Sequence, residues 1–205
     1  MENTLPYLHG KTWPAITREE RFFCAELFFM LSRMEDLKPV VLWMNEQCPK
    51  LQLTVDGSWS VGYEVCFYRD HIHTFHLNGT GSIRDKVVPN LDRPFMFKRT
   101  FDLVLFHPVH LVIIEAKAQQ GLSDGQVTVF ERDKEDLHAL LGDLAPDVHL
   151  VLLCSQAYST KTRTGALRER FDGTITWRGL YEMVAAWGGD TRTAQALVRA
   201  DGMMG

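Results

Sequence analysis

Three charged residues interrupt a segment that is otherwise almost wholly apolar. In TFDLVLFHPVHLVIIEAKAQQG, Thr100 to Gly121, Asp102 opens one apolar run, and Glu115 and Lys117 close a second. Charges on buried strands are costly unless they serve one another or a ligand. If Pro108 and Val109 form the tip, His107 faces His110 and the antiparallel register sets Asp102 opposite Glu115. Their Cβ atoms then lie about 4.5–5.5 Å apart. Lys117, two residues further, projects from the same face. Neighbouring carboxylates repel unless something positive lies between them. Hard oxygen ligands suit Mg²⁺ or Mn²⁺, and a lysine beside such an ion can orient a water or steady charge developing on a phosphate. The plain alternative is a buried acid–lysine pair without chemistry.

The elements around the hairpin decide what joins it. AITREERFFCAELFFMLSRM has apolar residues at helical spacing, and Thr17 with Glu20 has the form of a capping box. Glu19, Glu26 and Arg33 share a polar stripe, whereas Glu20 lines up with Phe23, Cys24, Leu27 and Leu31. That alignment makes Glu20 the carboxylate best placed to reach a site beneath the helix. LQLTVDGSWSVGYEVCFYRDHIHTFHL reads as β-rich, and NGTGSIRDKVVPNLDRP as a loop. After the hairpin, Ser123 and Gly142 bracket a helix on which Gln126, Phe130, Leu137 and Leu141 share a face; Asp133 falls near it. VHLVLLCS has the composition of a central strand covered on both sides. A basic segment, the short strand TITW and two closing helices complete an α/β fold around a mixed sheet.

The chain has 205 residues, 45% hydrophobic and 23% charged, and a net charge of −4, which suits one domain over residues 1–205. Cys24, Cys48, Cys66 and Cys154 form no CxxC pair, so reduced thiols and a cytoplasmic setting are expected. MENTLPYLHGKTW lacks the pattern of a signal peptide, and no apolar run is long enough to span a membrane. A global basic field is absent, so phosphate contacts fall to local cations: Lys98 and Arg99 ahead of Asp102, then Lys161, Arg163, Arg168 and Arg170.

Asp102, twelve intervening residues and Glu115-Ala116-Lys117 resemble the core of the PD-(D/E)xK, or restriction-endonuclease-like, nuclease superfamily. Phe101 stands where the motif's proline would be. Glu20-Arg21, Phe23 and Leu27 resemble the first-helix pattern of Holliday-junction resolvases. Gln126 with Phe130 resembles the QxxxY element of RecB-type exonucleases, with Phe for Tyr. The resemblance implies an αβββαβ core, here with a β-rich insertion before the catalytic hairpin. It implies Asp102, Glu115 and Glu20 as ligands of Mg²⁺ or Mn²⁺, Lys117 as the activating cation and Gln126 as a supporting group. DNA is the implied substrate, with RNA permitted by the chemistry. Double-strand cutting would call for a homodimer or a partner subunit, and the scaffold serves defence, restriction, repair and mobile elements alike.

Three other readings compete. Glu64 could replace Glu20. His71 and His73, alternating on a strand near Asp70 and His76, could bind zinc in a hydrolase. A catalytically silent nuclease fold could serve as a binding or assembly subunit.

Overall fold

The structure, a computed structural model, describes residues 9, 16–75, 99–119 and 121–203. Five strands form one sheet in the order β1 (Ser60–Val65), β2 (Phe101–His107), β3 (His110–Ala116), β4 (Asp147–Cys154) and β5 (Gly173–Thr176). β1, β2 and β3 run antiparallel; β4 and β5 continue parallel to β3. The sheet is therefore mixed, and the near-continuous apolar sequence of β4 reflects its place between two parallel neighbours.

Helices cover both faces. Leu103, Leu105, Val112, Ile114, Val151 and Leu153 pack against α1 (Glu20–Leu31), α2 (Lys38–Gln47), and two later helices. Val104, Leu111, Ile113, Leu150 and Leu152 pack against α3 (Phe67–Phe75) and α4 (Asp124–Leu141). After β4 come the short helices α5 (Gln156–Ser159) and α6 (Gly165–Arg168). Following β5, α7 (Trp177–Ala186) and α8 (Thr191–Gly202) return to the α1 side. All four cysteines are free and buried. No helix among the described residues is long and apolar enough to cross a membrane.

The expectation of a β-rich insertion is overturned. Among the described residues of the segment read as β-rich, Ser60–Val65 is the one strand, and Phe67–Phe75 is helix. Tyr68 and Ile72, four apart, are its buried residues, a helical spacing that the β-branched and aromatic content masks. The zinc reading falls with the strand: His71 and His73 lie roughly 200° apart around a helix and cannot share a face. His71 stacks instead on Phe67. His76 and the loop from Asn78 to Pro94 lie outside the described residues.

At the far end of the hairpin, His107 pairs with His110, as the register requires. His110 Nε2 accepts from the Thr54 amide at 3.2 Å, so its Nδ1 carries the proton that is donated to His149 Nε2 at 3.1 Å. Burial pushes both imidazoles below their ordinary range, and neighbouring groups add to it: His107 at His110, and His110 with Lys134 at His149. Asp147 opposes this at both, and Asp172 at His149. A proton taken up in the unfolded chain below about pH 6.5 is resisted in the fold. Stability from this pair is therefore complete above that pH and is lost as the pH falls. Between pH 7 and 5 the melting temperature should drop by about 2–4 °C more in the wild type than in His149→Gln, whose amide oxygen still accepts from His110. Equal drops would discount the pair.

Candidate active site

The β2–β3 ladder runs from His107–His110 to Leu103–Ile114, so the next positions along it are Asp102 and Glu115. Asp102 Oδ2 accepts a hydrogen bond from the Ala116 amide at 2.9 Å, which ties its carboxylate to the end of β3. Lys117 follows where β3 ends: its amide donates to Leu153 O of β4 at 2.7 Å, and its carbonyl accepts from the Trp177 indole at 3.0 Å. Its backbone is thus fixed by β4 and α7, and its ammonium, in a residue only 6% exposed, donates to Glu115 Oε1 at 2.6 Å.

Glu20 reaches the same ammonium from α1, with Oε2 3.7 Å from Lys117 Nζ. The expected capping box with Thr17 does not form. Glu19 is the N-cap, without a side-chain cap, and Thr17 Oγ1 accepts from the Glu19 amide at 3.4 Å. The side chain of Glu20 is therefore left to the interior, in line with the buried Phe23, Cys24 and Leu27. Glu26, from the stripe shared with Glu19 and Arg33, pairs with Arg192 of α8. Glu64, on edge strand β1, pairs with Arg21 at 3.2 Å and occupies a left-handed backbone conformation, φ 51°. Even so, Glu64 lies within the same field. Burial raises the Cys24 thiol well above its usual range, and Asp102, Glu20, Glu115 and Glu64 each push it further.

The electrostatics are those of a site short of positive charge. Burial raises Asp102 above the ordinary carboxylate range, against the Ala116 amide, Lys117 and Arg99. Burial, then the neighbouring Asp102, pushes Glu115 up to about 7 despite Lys117. Lys117 behaves in the opposite way: burial disfavours its charge, yet Glu115, Glu20 and Asp102 together hold it above its ordinary range. Desolvation disfavours the charged forms of both Asp102 and Glu115, a cost that a hard divalent cation would offset. Among the described residues, no group of three or more His, Cys, Asp or Glu side chains is closed up as a cation cage. The acids instead contact Lys117 and the Ala116 amide, so a cation would exchange with the Glu115–Lys117 contact.

The remaining expected residues divide. Gln126 is not on the buried face of α4, which carries Val127, Phe130, Asp133, Leu137 and Leu140. It is N3 of a capping box: Ser123 Oγ accepts from its amide, and its Oε1 accepts from the Ser123 amide at 3.0 Å. Gln126→Ala should thus cost about 0.5–1 kcal/mol in a urea titration while leaving cation binding and cleavage unchanged. A loss of cleavage at full stability would return Gln126 to the chemistry. Arg99, expected as a phosphate contact, has a side chain only 17% exposed and donates to the buried Asp133 at 3.0 Å. Its guanidinium lies over Phe130 and Phe101. Arg168 holds the segment after β4 together through the carbonyls of Tyr158 and Lys161, and Arg170 pairs with Asp124 and Glu131. Arg163 is exposed and Lys161 half-buried, on the segment that leaves β4 beside the hairpin's charged end. Lys98 lies outside the described residues.

Sequence reasoning missed the partners of Arg99. Asp133 is 2% exposed, and its Oδ1 accepts from the Tyr68 hydroxyl at 2.9 Å. The signal was present: Asp133 sits three residues after Phe130 and four before Leu137, an acid in an apolar stripe. No family model matches the chain, and no curated protein or solved structure shows significant similarity to it.

Proposed function

We propose that the protein is a divalent-cation-dependent nuclease of the restriction-endonuclease-like PD-(D/E)xK type, hydrolysing phosphodiester bonds of DNA. The observation that carries this reading is the convergence on Lys117 of two carboxylates from separate elements, Glu115 at 2.6 Å and Glu20 at 3.7 Å. Asp102 is held one hydrogen bond away, on the Ala116 amide. Around this point α1, the antiparallel β1–β3, α4 and the parallel β4 are compatible with the order the resemblance implies, with α2 before β1 and α3 between β1 and β2 as additions.

Asp102, Glu115 and Glu20 would hold Mg²⁺ or Mn²⁺, which supplies Lewis-acid polarisation of the phosphoryl group and a water acidic enough to attack it. The chain's own residues do the rest. Lys117, once released from Glu115, presents a charged donor to the attacking water and to the charge that builds on phosphorus-bound oxygen. Phe23, Phe101 and Ile113 keep the mount rigid and dry, which strengthens each electrostatic contact at its edge. Arg163 and Lys161 offer backbone-phosphate contacts that carry no sequence preference. Cutting both strands of a duplex needs two such sites, hence a second copy or a partner subunit.

The test is incubation of the purified chain with plasmid and single-stranded DNA, and with RNA, in Mg²⁺, Mn²⁺ or EDTA. Cleavage dependent on the cation and lost in Asp102→Asn and Lys117→Met is expected. No cleavage in any arm, with variants that bind Mn²⁺ as well as the wild type does, would defeat the proposal.

A further inference from the structure

Behind Glu115, on the side away from Lys117, four residues from different elements form a chain of contacts. Tyr68 of α3 donates to Asp133 Oδ1 at 2.9 Å, and Arg99 Nε donates to Asp133 Oδ2 at 3.0 Å. Both carboxylate oxygens of Asp133 are thus occupied, yet burial, with a smaller push from Asp136, outweighs Arg99 and Tyr68, so it stays above the ordinary carboxylate range. The guanidinium is clamped over the faces of Phe130, 4.4 Å from the ring centre, and Phe101, 5.4 Å. Among the described residues its Nη2 is buried without a hydrogen-bond partner, and it lies 3.9 Å from Glu115 Oε2. A buried donor left open needs a reason.

We infer that Arg99 is a positioning residue for Glu115. It stands on Asp133 and Tyr68 and steadies Oε2 from behind, so that Oε1 alone exchanges between Lys117 and a bound cation. The inference rests on the nuclease reading for its purpose, but its geometry can be tested apart from it. Arginine suits the task because its planar fork serves two acceptors in a fixed relation, which a lysine cannot do. Partners that orient a ligand from behind are worth roughly 10–100-fold in metal affinity.

The experiment uses the full chain in two parts. In the first, urea unfolding without metal compares wild type, Arg99→Gln, Glu115→Gln and the double variant. Coupling of at least about fivefold in the unfolding constant is expected, and an additive cycle overturns the inference whatever the protein cleaves. In the second, Mn²⁺ binding is measured by calorimetry without nucleic acid, and kcat and KM on DNA are measured for the same proteins and for Tyr68→Phe. Arg99→Gln should weaken Mn²⁺ binding about tenfold or more and lower kcat, with KM for DNA unchanged; Tyr68→Phe should move Mn²⁺ affinity the same way by less. Unchanged Mn²⁺ affinity in folded variants overturns the inference, and so does a raised KM at constant kcat, which would make Arg99 a phosphate contact. If Arg99→Gln does not fold, Tyr68→Phe, which removes one oxygen, decides by the same readings. A wild type that binds no cation and cuts nothing defeats the nuclease reading, and the unfolding cycle then judges the Arg99–Glu115 link alone.

Discussion

Lys117→Met should lower the rate of DNA cleavage by about 10²–10⁴-fold, the range for removing a positioned proton-transfer or charge-stabilising group. Methionine keeps most of the apolar stem in a position that is only 6% exposed, and the backbone bonds of this residue to Leu153 and to the Trp177 indole do not depend on its side chain. Removing one member of a buried pair leaves the other uncompensated, at a cost of about 3–5 kcal/mol. Here Glu115 can relieve that cost by taking up a proton, because its carboxyl already sits near 7. The variant should therefore fold, and melting curves beside the cleavage assay will separate lost chemistry from lost structure. Asp102→Asn is the matched probe: its amide oxygen can still accept from the Ala116 amide, while the charge is gone. Comparable cleavage by Lys117→Met and wild type, in a cation-dependent reaction, would remove Lys117 from the mechanism.

The second large effect is a pH dependence of stability that reverses with cation. The Glu115 carboxyl lies near 7 in the fold, against an ordinary value of 4.5. Its folded value is raised, so its contribution is full below about pH 4.5 and is lost as the pH climbs through 7. A shift of that size corresponds to about 3 kcal/mol, lost progressively over that window. Glu131, Asp70 and Asp190 have depressed carboxyls and shift the background the other way, so the quantity to read is the difference between wild type and Glu115→Gln. Without cation, Glu115→Gln should be the more stable of the two at pH 8 and lose that advantage at pH 5. With saturating Mn²⁺ the wild type should gain at pH 8, by RT ln(1 + [Mn²⁺]/Kd), and the variant far less. Parallel stability curves for the two proteins across pH 5–8 would show that Glu115 is ionised throughout and that the site has no deficit of positive charge.

Much of this site is local in origin, and such features are written directly in the chain. The tip at Pro108–Val109 dictates that His107 meets His110, and the alternation of a strand then carries the register to Asp102 and Glu115. Helical spacing alone sets Glu20 on the buried side of α1, and Ser123 with Gln126 writes the start of α4. The apolar run of β4 announces a strand covered on both faces.

What the sequence leaves open is whatever depends on which surfaces meet. Phe67–Phe75 has the composition of a strand, and it is helical because Tyr68 and Ile72 find a buried face against β2 and α4. Gln126 satisfies the helix terminus instead of the site, since an amide beside unpaired backbone donors and acceptors is captured there first. Arg99 counts as one more surface cation until its neighbours are known. Only packing brings it to Asp133, 34 residues away, and brings Tyr68 to the same carboxylate from 65 residues away. Period and charge fix which face a residue presents. The depth of burial, and with it the raised Glu115 carboxyl and the inward-turned arginine, exists only once the helices close over the sheet.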